Sequence, residues 1–223
     1  MRLKPSDIGS CWDHALARMR ALKALGFMPK AILDVGAYHG SWSEVMWHVW
    51  PEASYTLIEG NDECIPRLNA TGFPYHIALL SDSVKDVTYH KSQTGSGEGN
   101  SIYREATDYP FKPTTIQTKK LDELMAYQVF DFVKIDAQGS ELDILKGGAN
   151  LIEGVNLVQL ECQVQSYNPG APSLLEVITY MDSLGFRVCD IIESHFNSRG
   201  MLIQTDFLFA RKDCGLFDLK VLT

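Results

Sequence analysis

Short apolar runs of strand length alternate with segments of helical periodicity along most of this chain. That alternation is typical of a parallel sheet whose strands are joined by crossover helices, so the sequence predicts an α/β fold. The predicted strands of the sheet are residues 31–35, 54–59, 75–79, 131–136, 155–161, 186–192 and 203–211, and residues 84–90 are predicted as one arm of a hairpin.

Helix signals fill the intervals between most of the predicted strands. Ser41 and Glu44 stand three positions apart before an apolar face of helical period, and Ser173 and Glu176 repeat that spacing. Each pair therefore predicts a capping box at the start of a helix. Further helices are predicted from Ser10 to the glycine at position 26, near residues 121–127 and over residues 140–146.

The last two predicted strands are separated only by residues 193–202, which show no helical periodicity. A right-handed crossover between parallel strands needs about a dozen residues or more. The sequence therefore predicts that these two strands pair antiparallel. No linker or internal repeat divides the chain, so we expect one domain over residues 1–223, with residues 1–30 as an N-terminal helical extension and residues 31–211 as the core.

The charge and cysteine content narrow the possible partners. The chain has 20 Lys and Arg against 28 Asp and Glu, which gives a net charge of −8 and argues against nucleic acid as a partner. No apolar run approaches the length of a membrane span, so no membrane partner is expected. The closest two of its five cysteines, Cys189 and Cys214, are 25 positions apart. This spacing excludes Cys-x-x-Cys motifs and favours a reducing, cytoplasmic location.

A glycine-bearing turn follows the first predicted strand and leads into a helix. In an α/β sheet, a turn of this kind builds a ligand crevice, because its glycines allow close approach and the helix presents free N–H groups. The turn differs from the dinucleotide fingerprint, which requires glycine where Tyr38 stands. Gly36 and Gly40 therefore predict a crevice that does not hold a pyrophosphate.

An acidic residue ends the second predicted strand. Glu59 follows Asp34 by 25 positions, close to the separation of about 20 at which a carboxylate binds the ribose of a nucleoside cofactor. A nucleoside without a pyrophosphate, joined to an amino acid, describes S-adenosylmethionine (SAM). We expect its amino-acid part against the glycine turn, its ribose on Glu59, and its adenine against Ala78 and Leu79.

Several segments in order resemble the motifs of the FkbM-type methyltransferase family. They are Asp34-Val-Gly-Ala-Tyr-His-Gly-Ser41, Thr118-Lys-Lys-Leu-Asp122, Val133-Lys-Ile-Asp-Ala-Gln-Gly-Ser-Glu-Leu142, Leu145-Lys-Gly-Gly-Ala149 and Val158-Gln-Leu-Glu161. The resemblance implies a Rossmann-like class I methyltransferase fold. In this fold a seven-stranded, mostly parallel sheet of order 3-2-1-4-5-7-6 has an antiparallel last strand and helices on both faces. It also implies O-methylation of a hydroxyl on a small natural product or a glycan.

The cofactor residues expected from the crevice and the resemblance together are Asp34, Gly36, Ala37, Tyr38, Gly40, Ser41, Glu59, Ala78, Leu79 and Asp136. The expected catalytic residues are Asp136 and His195, because each follows or ends a strand at the crevice and each can accept a proton. Asp136 can instead pair with Lys134, two positions earlier on the same face of the strand. His195 can instead be an ordinary surface residue.

Other interpretations remain open from the sequence. A divalent ion between Asp136 and Glu161 would need further ligands, and no metal is predicted. A methyltransferase-like module that binds SAM without turnover is one alternative function, and a nicotinamide oxidoreductase is another. The glycine-rich stretch at residues 95–101 fits either a loose turn or a lid over the site. The oligomeric state is open.

Overall fold

The computed structural model describes residues 8–93 and 99–215. Its strands are β1 (Ala31–Val35), β2 (Ser54–Glu59), β3 (Tyr75–Ile77), β4 (Asp86–Ser92), β5 (Phe111–Gln117), β6 (Phe132–Ile135), β7 (Leu157–Gln163), β8 (Phe186–Phe196) and β9 (Leu202–Arg211). Its α-helices are α1 (Asp13–Ala24), α2 (Ser41–Trp47), α3 (Ile65–Thr71), α4 (Leu121–Leu124), α5 (Glu141–Gly147), α6 (Ala149–Glu153) and α7 (Leu174–Ser183). None of the helices in these described residues is long and apolar enough to cross a membrane.

Seven of the strands form one sheet in the order β3-β2-β1-β6-β7-β9-β8. The pairs among β3, β2, β1, β6 and β7 are parallel, whereas β9 runs antiparallel to both β7 and β8. The predicted antiparallel pairing of the last two strands is therefore confirmed. When the strands are numbered along the chain, the observed strand order differs from the expected order 3-2-1-4-5-7-6. The reason is that β4 and β5 lie between β3 and β6 in the chain and form a separate antiparallel pair.

The two faces of the sheet carry separate apolar clusters. On β6, Phe132 packs with the side chains of α1, α2 and α3, among them Met19 and Met46. The next residue, Val133, packs on the opposite face with α4 to α7, among them Leu145. Successive side chains of a strand point to opposite faces, so the buried run of β6 supplies both clusters. This arrangement confirms helices on both faces of the sheet.

The start of α2 differs from the predicted capping box. Gly40 is the N-cap in a left-handed conformation with φ of 76°, and it makes no side-chain cap. Glu44 is fully buried and turns away from the helix end, so that its Oε2 lies 2.6 Å from the guanidinium of Arg67 in α3. Because the carboxylate is engaged by that cation, the box predicted from Ser41 and Glu44 does not form.

The start of α7 agrees with its predicted capping box. The Ser173 hydroxyl accepts a hydrogen bond from the Glu176 N–H at 3.3 Å, and the Glu176 carboxylate accepts the Ser173 N–H at 2.8 Å. Both groups lie at the surface, where no buried partner competes for the carboxylate. The local sequence signal therefore determines this helix end, and the prediction is confirmed.

Candidate functional site

One cavity of about 640 Å³ opens at the edge of the sheet where β1, β2, β6 and β7 end. Because β9 is antiparallel, its first residues reach the same edge, and so do the last residues of β8. The cavity therefore crosses most of the sheet. One part is lined from β1, β2 and the segment after β3, and the other from β7, β8, β9 and α1. This is the edge at which open α/β sheets bind ligands.

The turn after β1 is fixed from both sides. The N–H groups of Gly36 and Ala37 donate to the carbonyl of Ile58 at 2.9 and 3.1 Å, and the Asp136 N–H donates to the Val35 carbonyl at 3.0 Å. An ideal Cβ on Gly36 would lie 1.7 Å from the carbonyl oxygen of Asp136. Only glycine fits here, because the end of β6 occupies the space of a side chain.

Gly40 also contacts protein rather than the cavity. Its Cβ would lie 2.9 Å from the Thr71 methyl group of α3, and φ at this position is 76°. The two glycines were expected to give a ligand close access to the backbone. In the structure Gly36 and Gly40 let the turn pack against β6 and α3, and Gly36 borders the cavity in addition. Close approach of a ligand to their backbone stays a prediction.

Glu59 lies in the wall of the cavity, 8% exposed. Its Oε2 accepts the Tyr38 N–H and its Oε1 accepts the Asn61 N–H, both at 2.7 Å. Burial raises the pKa of this carboxyl above its usual range, while the two N–H donors oppose that rise. A carboxylate offers about four acceptor positions, so each oxygen keeps capacity for a ligand hydroxyl.

Lys134 forms the centre of a buried ionic group on β6. Its Nζ lies 3.2 Å from Asp136 Oδ2, 3.4 Å from Asp34 Oδ1, and 3.2 Å from the Gly36 carbonyl. The feasible pairing of Lys134 with Asp136 is therefore present. Asp136 borders the cavity, whereas Asp34 is fully buried behind it and accepts the Ser43 hydroxyl at 2.7 Å. Asp34 thus contacts the lysine rather than the cavity.

The remaining expected cofactor residues border the cavity: Ala37, Tyr38, Ser41, Ala78 and Leu79. The Tyr38 ring stacks on the His39 ring with centroids 3.7 Å apart, so both aromatic groups form one part of the wall. Asn100 and Ser101, the end of the glycine-rich stretch, also border the cavity. Residues 95–98 of that stretch lie outside the described residues, and the choice between turn and lid stays open.

His195 lies on β8 rather than in the turn between the last two strands, because β8 extends to Phe196. It borders the cavity, and its Nε2 lies 3.4 Å from the carboxylate of Glu193, with both side chains 43% exposed. Asn197 instead folds the turn, since its Oδ1 accepts the N–H groups of Arg199 and Met201. Of His195, Asn197 and Arg199, His195 is thus the residue that borders the cavity.

A chain of amide hydrogen bonds not predicted from the sequence links the strand ends. Gln138 donates through Nε2 to Asp136 at 3.1 Å and to Glu161 at 2.8 Å. Gln204 donates to the other oxygen of Glu161 and accepts from the Tyr167 hydroxyl. Gln138 has φ of 52°, a left-handed conformation uncommon for a residue with a side chain. The strained backbone of Gln138 thus occurs at a residue whose side-chain amide donates to two carboxylates.

Acidic side chains dominate the cavity wall. Among the described residues that border it are five carboxylates, Glu59, Asp136, Glu161, Glu193 and Asp206, and the one lysine or arginine is Lys134. Burial, and next the charge of Asp136, raises the pKa of Asp206 to about 6 and that of Glu161 well above its usual range. The site therefore favours cationic ligands over anionic ones.

No group of three or more His, Cys, Asp or Glu in the described part of the chain is arranged to hold a metal ion.

Comparison with known sequences and structures now adds to this geometry. The pattern of the methyltransferase FkbM domain matches residues 34–188 of the chain. No curated protein sequence matches it significantly.

Several solved structures have a similar fold at low sequence identity. A magnesium protoporphyrin IX methyltransferase from Synechocystis PCC 6803, solved with bound SAM, has a TM-score of 0.51 at 11% identity, covering 89% of this chain and 77% of that one. The plantazolicin methyltransferase, solved with S-adenosyl-homocysteine (SAH), has a TM-score of 0.50 at 13% identity, with 89% and 82% covered. An uncharacterized protein from Listeria monocytogenes serotype 4b has a TM-score of 0.54 at 9% identity, covering 92% of this chain and 69% of that one. The fold is that of the class I SAM-dependent methyltransferases.

Proposed function

The chain belongs to the FkbM methyltransferase family, whose domain matches more than half of its length. On this premise we propose that it transfers a methyl group from SAM to a hydroxyl oxygen of a small natural product or a glycan. The observation that carries the proposal is Glu59, a buried carboxylate in the cavity wall that is held by two main-chain N–H groups and keeps acceptor capacity on both oxygens.

The cavity is compatible with this cofactor in size and in charge. Its volume of about 640 Å³ falls within the range of roughly 300 to 1,000 Å³ that is usual for small-molecule sites. The carboxylates of its wall oppose a pyrophosphate and favour a sulfonium and an ammonium group. These features support SAM over a nicotinamide dinucleotide.

Different residues of the cavity wall would bind different parts of SAM. Glu59 would accept hydrogen bonds from the ribose hydroxyls, and Ala78 and Leu79 would form the apolar wall beside the adenine. Asp136, which is paired with Lys134, keeps acceptor capacity for the amino group of the methionine part. Bound SAM would supply the methyl group, carried on a positively charged sulfur.

The chemical contribution of the protein is then to hold the acceptor oxygen in line with the methyl group and to take its proton. His195 would take this proton, a role supported by its position at the cavity and by Glu193, which can orient its ring. Asp136 is the other candidate base. Comparing the turnover of Asp136→Asn and His195→Ala proteins separates these two roles.

Calorimetric titration with SAM and SAH tests the proposal. We expect both to bind the wild-type protein, and we expect Glu59→Gln to weaken binding by roughly 1 to 3 kcal/mol, since a ribose hydroxyl loses a charged acceptor. Glu52→Gln is the matched control, because Glu52 is exposed and precedes β2 at the opposite edge of the sheet. No binding of either compound, or binding of NADH instead, would overturn the proposal.

Methyl transfer itself is tested with isotope-labelled SAM and a panel of hydroxylated natural products and sugars, read by mass spectrometry. Label on an oxygen atom supports O-methylation, whereas binding of SAM without transfer to any acceptor favours a module without turnover. The cytoplasmic location and the exclusion of nucleic acid and membranes as partners stay predictions from the sequence.

A further inference from the structure

Three carboxylates stand in one row across the strands on the side of the cavity away from Glu59. In the register of the sheet, Glu161 of β7 pairs with Asp206 of β9, and Asp206 pairs with Glu193 of β8. Side chains of directly paired residues lie on the same face, and like charges in that position destabilise a sheet. All three border the cavity. The ionised row therefore repels itself, and either a bound proton or a cation lying against it relieves that repulsion.

Among the charged side chains nearby, Lys134 acts on Glu161 and Asp206 as a positive charge but compensates this row only in part. Lys134 is already shared among Asp34, Asp136 and the Gly36 carbonyl. His195 lies next to Glu193 at the exposed end of the row. The charges acting on Glu161 and Asp206 from the neighbouring strands and α5 are otherwise acidic, namely Asp136, Glu141 and Glu193.

A second observation points to a ligand that donates hydrogen bonds. Gln159 borders the cavity and is 2% exposed, and its Nε2 donates to Asp206 at 2.8 Å. This bond fixes the orientation of the amide. Among the described residues, none donates a hydrogen bond to its Oε1, which is buried. A buried acceptor without a donor costs free energy. This unpaired acceptor lies on β7 two residues before Glu161, next to the acidic row.

We propose that the methyl acceptor carries a protonated amine in addition to its hydroxyl group, as an amino sugar or another amino alcohol does. The ammonium binds against Glu161, Asp206 and Glu193 and donates to Gln159 Oε1. An ammonium has three donors and no acceptor, which matches a wall made of acceptors. Trp12 and Ile192 border the same part of the cavity and offer apolar surface to the carbon skeleton. This inference rests on the proposed function.

Calorimetry on the 223-residue chain saturated with SAH tests the proposal with three probes: D-glucosamine, N-acetyl-D-glucosamine and D-glucose. They share a ring and differ in the amine. We expect glucosamine to bind about ten- to a hundredfold more tightly than the other two, as hydrogen bonds to charged groups allow. Equal affinities, or no binding of any probe to the SAH-loaded protein, would overturn the amine proposal. Failure of SAH to bind would instead count against the proposed function.

A variant assigns the effect to the acidic row. Glu193→Gln should reduce the preference for glucosamine over glucose, and because Glu193 is 43% exposed its replacement leaves the core intact. Glu153→Gln is the matched control, since Glu153 is exposed and lies four residues before β7. An unchanged preference in Glu193→Gln would contradict the assignment of the ammonium to this row.

Proton release gives a readout that needs no variant. The pKa of Asp206 is raised to about 6 and that of Glu161 is also raised by burial, and a bound cation favours the ionised carboxylates. Titration at a pH of about 6 in two buffers of different ionisation enthalpy should therefore show protons released with glucosamine. Absence of release would show that the cation does not reach these carboxylates.

Discussion

Replacement of Glu141 by glutamine should change how the stability of the protein depends on pH. Glu141 lies in the first turn of α5 and is 5% exposed. Its Oε1 accepts the N–H groups of Ala137 and Gly139 at 2.8 and 3.1 Å, so it fixes the loop that presents Asp136 and Gln138. Burial is the main cause that raises the pKa of this carboxyl from 4.5 to about 7, and the charge of Asp136 adds to it.

The sign and size of the effect follow from linkage. A raised pKa means that the folded protein binds the proton more tightly than the unfolded chain does, so the stabilisation is full below the unfolded value and is lost as the pH rises through the folded value. The rise from 4.5 to about 7 corresponds to roughly 3 kcal/mol at 1.36 kcal/mol for each tenfold change. Glutamine keeps an acceptor oxygen for the two N–H groups and cannot ionise.

Urea unfolding at several pH values between about 5 and 8 measures this effect. We expect Glu141→Gln to resemble the wild type at the acidic end and to be the more stable protein at the basic end, by up to about 3 kcal/mol. Glu161 and Asp206 remain, so part of the slope should persist. Glu153→Gln, an exposed change, should leave the slope as it is. Parallel stability curves for Glu141→Gln and wild type would refute the reasoning.

Two further substitutions test local parts of the structure. Gly36→Ala should destabilise the protein by roughly 3 kcal/mol or more and abolish SAH binding. The reason is that the new methyl group would lie 1.7 Å from the Asp136 carbonyl oxygen, at a residue whose φ is 72°. A thermal melt and a SAH titration that match the wild type would contradict this. Ser173→Ala should cost about 1 kcal/mol in urea unfolding, through loss of the α7 cap, and no change would show that the hydroxyl contributes nothing there.

The strands of the sheet were predictable because each is a short apolar run, and β6, buried on both faces, is the clearest. The antiparallel end was predictable from the shortness of residues 193–202. By contrast, β5 was missed because Pro113 interrupts its pattern, and proline usually excludes a central strand. In the structure it lies in a separate two-stranded pair, where β4 is its partner, and proline is tolerated there.

The two capping boxes show when a local signal determines structure. Ser173 and Glu176 are at the surface, and the signal holds. Glu44 has the same spacing from Ser41, but its buried carboxylate pairs with Arg67, 23 positions further along the chain. A buried charge without a partner is far costlier than a lost cap, so the tertiary contact prevails, and only the fold could reveal it.

The part of the cavity wall around Glu59 was easier to predict than the opposite wall. Glu59 ends its strand and the glycine turn follows its own, so their meeting at one edge is a property of any parallel sheet. Gln159 and Glu161 gave a weak signal, since each is a polar residue between two apolar ones. Their proximity to Asp206 depends on the register of β9 against β7, which the sequence pattern does not specify.

The acidic excess of the cavity connects the two proposals. Lys134 is the one lysine or arginine among the described residues that border it, and it is held between Asp34 and Asp136. It therefore compensates Glu161 and Asp206 on the opposite wall only in part. Neutral apolar residues would make a more stable sheet at Glu161 and Asp206, since buried like charges oppose folding. The acidic residues thus reduce the stability of the empty protein. Under the proposed function, a sulfonium on one side and an ammonium on the other recover that free energy on binding, whereas a ligand rich in phosphate would increase the repulsion.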